Sequence, residues 1–310
     1  MRKLLICDLH CDLPSVVSRG VEISSNDAHW GENKLKKENT YVQVFASFVD
    51  KLLCDNPCER AKFLIKNFVL KLSETNIKLV TKYSELEDNI KRGINSALLS
   101  IEGGETLGGK IENIEIFYKM GVRFLTLTWN YRNELGTSSA DDENLPLSEF
   151  GKAAIREMNR LKMTPDVSHL SERGFFDVAF LTTEPFCATH SNSKAVCNHK
   201  RNLTDEQFFA IKKAGGLVGI AFVPQFLEGN AEMADVFSVV KHIEHFMALG
   251  GEDVVCLGGD FDGVDSLPRG IENVGDVLKI ADELAKINYS DVLIKKLMGE
   301  NVKNYLKSVL

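Results

Sequence analysis

The sequence predicts an α/β protein, a single TIM-like (β/α)₈ barrel spanning residues 1–310. Three observations predict it. Eight short apolar runs recur along the chain, and helical patterns with charged faces lie between most of them. The runs are nearly continuous in their hydrophobicity, as parallel strands covered on both faces must be. No low-complexity tract, internal repeat or Pro-rich linker interrupts the 310 residues, so no domain boundary is drawn.

Taken in order, the expected strands are 3–9, 42–48, 96–101, 123–128, 164–168, 185–189, 216–223 and 253–259. Expected helices cover 58–72 and 84–91 before the third strand, then 111–120, 148–161, 172–180, 204–214, 234–249 and 274–287, with a terminal helix over 290–308. Capping chemistry supports several of them. Thr204 with Gln207 three residues on reads as a capping box, and Ser290 before Asp291 as an N-cap. Gly215-Gly216 and Gly250-Gly251 end the helices before the last two strands. The polar stretches 19–41 and 49–57, which include Trp30, read as surface loop beside the barrel mouth.

Bulk properties narrow the function. With 44% hydrophobic and 26% charged residues the chain has ordinary globular composition, and its net charge of −7 with no basic stripe argues against nucleic acid. A small molecule or peptide is the expected partner, with at most a second copy of the chain beside it. Only four apolar residues separate Lys3 from Asp8, too few for a signal-peptide core, and no run approaches about 18 apolar residues, so a cytoplasmic protein with no membrane span is expected. Seven cysteines lie mostly in strand-like segments, where no structural disulfide is expected; Cys54 and Cys58 lack a second Cys/His pair for a metal.

The most informative residues stand where strands end. The first strand runs straight into His10-x-Asp12, and residues two apart on an extended segment share one face. Glu102, His169, His190 and Asp260 follow four other apolar runs in the same way. The C-terminal strand ends are where barrel enzymes do their chemistry. Three histidines with two or three carboxylates and no thiolate suit a catalytic zinc or similar divalent ion, and with five ligands two ions sharing one carboxylate is more economical than one crowded ion.

His10-x-Asp12, Ser100-Ile101-Glu102-Gly103-Gly104, Asp166-Val167-Ser168-His169, Thr189-His190-Ser191, Arg201-Asn202 and Gly259-Asp260-Phe261-Asp262-Gly263-Val264 together resemble the membrane (renal) dipeptidase family of the amidohydrolase superfamily. The resemblance runs nearly end to end and includes the stretch from Gly121 to Thr128. It implies a binuclear zinc centre that cleaves dipeptides, including those with a C-terminal D-amino acid. By motif, His10 and Asp12 would hold one zinc, His169 and His190 the other, and Glu102 would bridge them. A hydroxide between the metals would attack, Asp260 would shuttle the proton, and Arg201 would clamp the substrate carboxylate with its planar guanidinium. Where several relatives carry a histidine after Leu-Thr-Leu-Thr, this chain has Trp129 and then Asn130, whose indole and amide N–H groups are expected at the substrate instead.

Other readings are weaker. His242 and His245 on one helix have no partner ligand and are expected to pack or be solvated; His29 and His199 are expected in surface loops. Asp260-Phe261-Asp262-Gly263 does not fit a calcium loop, and the glycines from Gly103 to Gly109 lack the nucleotide-binding register. Two alternatives to a dipeptidase remain: another amide, lactam or lactone hydrolase on the same binuclear scaffold, and a non-catalytic barrel that binds a metabolite.

Overall fold

A computed structural model describes residues 3–310. Eight parallel strands form one sheet: β1 (Leu5–Asp8), β2 (Thr40–Phe48), β3 (Lys78–Leu79), β4 (Ser96–Glu102), β5 (Val122–Thr126), β6 (Thr164–Asp166), β7 (Val218–Ile220) and β8 (Val255–Leu257). Their order is β6-β5-β4-β2-β1-β8-β7, with β3 lying on β4. β3 was not expected. Its two residues pair with Ser96 and Ala97, below the point where β5 takes over that edge at Leu99.

The expected strand over 185–189 is instead a seam. Val167 donates to the Cys187 carbonyl, Cys187 to Pro165, Ala188 to Leu217 and Gly219 to Ala188, so single bridges join the free edges of β6 and β7. The seam needs close backbone contact: a Cβ on Gly258 would lie 1.8 Å from the Thr189 carbonyl oxygen. These glycines therefore admit the neighbouring strand.

Strand β2 shows why its run is apolar throughout. Val42 and Val44 point into the barrel with Cys7, Leu98, Phe124, Cys187 and Cys256, while Tyr41 and Phe45 face the helices. Each such buried side chain contributes about 1.5–3 kcal/mol through lost water contact. All seven cysteines are free thiols, and burial pushes those of Cys7 and Cys256 well up. The expected capping box is present, with Thr204 accepting from the Gln207 N–H. The terminal helix breaks into Asp291–Lys295, a π-turn at Lys296–Glu300 and Asn301–Val309. Trp30 is no surface residue: its ring meets Phe45 edge-on at 4.8 Å and is 1% exposed. Nothing local to that polar stretch marks it as core. No described helix is long and apolar enough to cross a membrane.

Candidate metal centre

The strand ends converge as their sequence positions suggest. Beyond β1 the chain bends at Leu9 and bridges to Phe261 at Cys11, and Asp8 ties it to β8: its carboxylate accepts the His10 N–H at 2.9 Å and the Gly259 N–H at 2.8 Å. Asp12 then donates its N–H to Phe261 and Asp260 donates to the His10 carbonyl. Glu102 is the last residue of β4, while His169 and His190 follow β6 and the seam. His169 (φ 71°) and Asp260 (φ 58°) hold left-handed backbone, costing on the order of 1 kcal/mol or more each, which the surrounding bonds must offset. A Cβ on Gly263 would fall 2.3 Å from Asp12 Oδ2 and 2.4 Å from Asp260 Oδ1, so the chain passes against the acids only as glycine.

Six predicted residues meet in one buried cluster. His10 Nε2 lies 3.4 Å from Asp12 Oδ2, 3.6 Å from Glu102 Oε2 and 3.9 Å from Asp260 Oδ1. On the other side of the same carboxylate, Glu102 Oε1 lies 3.0 Å from His169 Nε2 and 3.6 Å from His190 Nε2. His10, Asp12 and Glu102 form one potential ion-holding group, Glu102, His169 and His190 a second, and His10, Asp166 and His190 a third. His10 Nε2 and Asp12 Oδ1 are buried with no hydrogen-bond partner. Buried polar atoms seldom go unpaired, and oxygen and imidazole donors around such a gap suit a divalent cation.

The electrostatics differ across the cluster. Burial would lower His10, but the charges of Glu102 and Asp12 raise it well above the usual imidazole range. Burial pushes Asp12 up to about 6 and holds Asp260 well above the ordinary carboxylate range, with Asp12 and Glu102 adding to the latter. Burial likewise raises Glu102, yet His10 and His169 outweigh it and bring its carboxyl below its usual value. His169 is pushed down to about 4 by burial and by Arg201, and His190 falls well below its normal value by burial and by His10. Those two imidazoles are thus neutral, the form that ligates metal.

Arg201 is 6% exposed and has no carboxylate within ion-pair distance among the described residues. Its Nη2 donates to the His190 carbonyl at 3.4 Å, Phe226 lies 5.3 Å from its charge, and its Nε is buried without a partner. Burial lowers this guanidinium to about 10, still charged at neutral pH. With Ser139, His169 and Ser191 it lines a small cavity, and the hydroxyls of both serines are also unpaired. A buried positive charge and two unpaired hydroxyls thus meet in one cavity, which Glu172 also lines.

Trp129 packs 4.6 Å from Phe48 and 5.4 Å from Tyr131, with His169 6.4 Å away, forming an aromatic wall beside the cluster. Asn130 turns to His169: its Oδ1 lies 3.0 Å from Nδ1 and orients the ring. Sequence reasoning gave no role to Asp8, nor to Asp166 and Thr189, although Asp166 shares the signal of an acid at a strand end. Outside the centre, Asp262 receives the N–H groups of His29 and Trp30. His242 is fully buried, accepting from Ser193 N–H and donating to Leu227. His245 pairs with Asp205 at 2.7 Å, and His199 stacks on Phe226.

Fold and cluster together define a barrel hydrolase of the metallopeptidase class. The sequence matches the family described as membrane dipeptidase, peptidase family M19, over residues 1–309, and the chain belongs to that family of dipeptidases. It is 32% identical over 246 residues to an uncharacterized Klebsiella pneumoniae protein from the pqqA 5′ region, covering 76% of this chain and 90% of that one. It is 33% identical over 216 residues to an uncharacterized dipeptidase of Schizosaccharomyces pombe, covering 69% of this chain and 53% of that one. Among solved structures, it resembles the metallopeptidase dipeptidase AC with a TM-score of 0.91 at 27% identity, over 99% of both chains. A Rhodobacter sphaeroides metallopeptidase bound to a phosphinate mimic of L-Ala-D-Ala superposes with a TM-score of 0.90 at 26% identity over the whole of both chains.

Proposed function

We propose that this dipeptidase uses two zinc ions, one held by His10 and Asp12, the other by His169 and His190, with Glu102 shared between them. The observation that carries this reading is the division of the Glu102 carboxylate, Oε2 toward His10 and Oε1 toward His169 and His190. Two bound ions would supply a charge that polarises the peptide carbonyl and acidifies an attacking water. Arg201 grips the substrate's free carboxylate, with the Ser139 and Ser191 hydroxyls as further donors, and this restricts the enzyme to short peptides. Asp260, facing His10 but outside every potential ion-holding group, takes the water's proton and passes it to the departing amine. Its raised affinity for a proton suits that exchange. Trp129 and the Asn130 amide border the position of the carbonyl.

Tolerance of a C-terminal D-residue is part of this reading, supported by the dipeptide mimic bound in the Rhodobacter sphaeroides relative. Among hydrolases on this scaffold, the unpaired buried guanidinium favours a substrate with a free carboxylate over a neutral amide or lactone. Metal analysis of purified protein, paired with a screen of L,L and L,D dipeptides, tests the proposal. The expected result is two equivalents of zinc and hydrolysis of L,D substrates. Full activity with one equivalent would remove the shared-carboxylate reading.

A further inference from the structure

Thr189 stands between the two histidine-bearing strand ends and the buried carboxylate of Asp166. Its Oγ1 lies 2.6 Å from Asp166 Oδ2, 2.9 Å from His190 Nδ1 and 3.4 Å from His10 Nδ1. A hydroxyl has one proton and two lone pairs, and all three positions are used. Asp166, fully buried, is surrounded by donors: the N–H groups of Ser168 and Thr189 reach Oδ1 at 3.0 and 2.9 Å, and Thr126 Oγ1 reaches Oδ2 at 2.5 Å. A carboxylate can only accept, so the Thr189 proton goes to Asp166. The lone pairs of the same oxygen then face both rings, and each ring must present an N–H at Nδ1.

From this we infer that Thr189, oriented by Asp166, is a positioning residue that holds an N–H at Nδ1 of both His10 and His190 and so makes Nε2 of each ring the atom that faces Glu102 as a ligand. One hydroxyl thereby sets a ligand atom in each half of the centre. Asn130 does the same for His169 through its Oδ1. The Nε2 atoms of His169 and His190 then face each other at 2.9 Å as two lone pairs, a repulsion that a cation between them converts to attraction. Thr189 is held to the task by its backbone: its carbonyl oxygen abuts Gly219 and Gly258, where any Cβ would lie within 2.0 Å of it. Partners of this kind commonly change metal affinity about 10–100-fold when removed.

The inference rests on the two-ion reading for its consequence but not for its test. In metal-free wild-type protein, ¹⁵N NMR of His190 should show a protonated Nδ1 and a bare Nε2; a proton on Nε2 overturns the inference without any variant. Thr189→Val, which keeps the shape and loses the hydroxyl, should mix the His190 tautomers and weaken zinc binding at both sites about 10-fold or more in chelator competition. Thr189→Ser should restore both. Thr189→Val with an unchanged tautomer and affinity, or Thr189→Ser as defective as valine, overturns it. A protein that shows the expected tautomers and their loss in Thr189→Val, yet takes up no divalent ion, would support this inference and refute the binuclear reading.

Discussion

Around Glu102 Oε2 stand His10, Asp12 and Asp260; around Oε1 stand His169 and His190, with the Arg201 guanidinium close behind. In one half burial raises the carboxyls of Asp12 and Asp260 above their ordinary range, and the histidine is drawn toward the charged form. The other is built from neutral imidazoles beside a fixed positive charge. Under the proposed function the contrast gives each half a different task. Acid groups that gain and lose protons readily would suit the activation of water and the protonation of a leaving amine. A cation that never titrates near neutral pH would suit the anchoring of a substrate carboxylate.

The largest effect should come from the residue that joins the halves. Glu102→Gln replaces a carboxylate able to serve both sides by an amide with one acceptor oxygen, so bound zinc should fall below two equivalents and kcat/KM by about 10³-fold or more. Two retained ions with activity within tenfold of the parent would show that the halves do not depend on this bridge. Next comes Asp260→Asn, which leaves both ligand groups intact. Zinc should stay at the parental level while kcat drops on the order of 10²-fold. A silent variant would favour a barrel that only binds. Arg201→Ala probes the opposite half and should act on binding: KM for dipeptides rises roughly 10- to 100-fold, kcat changes less, and an N-acyl substrate lacking the free carboxylate is unaffected. Equal loss on both substrates would detach Arg201 from carboxylate recognition.

The candidate ligands are legible as residues at the polar ends of apolar runs, and His10 and Asp12, two apart, lie within 3.4 Å of each other although the chain bends at Leu9. The barrel itself follows from the same runs. What escaped depends on contacts that sequence spacing does not encode. β3 has two residues and no period to detect, and the 185–189 segment is held by single bridges in place of a ladder. Trp30 is buried only because Phe45 and its strand come to meet it. Asn130 faces His169 across 39 residues, and Thr189 reaches Asp166 across 23 and His10 across 179. Strand ends are written locally, whereas the groups that orient them are set by closure of the barrel.

A smaller effect lies outside both halves and sharpens the contrast between residues that serve chemistry and those that serve the fold. His242 is buried in the helix Val236–Ala248, where its Nδ1 accepts the Ser193 N–H and its Nε2 donates to Leu227. Ser193 belongs to the segment running from His190 to Arg201, so this neutral ring anchors the histidine half. Burial lowers its pKa from 6.5 to about 4. The unfolded chain therefore binds a proton that the folded chain refuses: the full contribution is present above about pH 6.5 and is lost as pH falls from there toward 4. The shift sets an upper bound of about 3 kcal/mol, and a loss of about 1–2 kcal/mol is expected between pH 7 and 5. Urea unfolding at the two pH values should show that loss in the parent and a smaller one in His242→Gln, whose side chain stays neutral throughout. Equal slopes in both proteins would mean that the ring is not the titrating group, and that this half of the molecule draws its acid sensitivity from elsewhere.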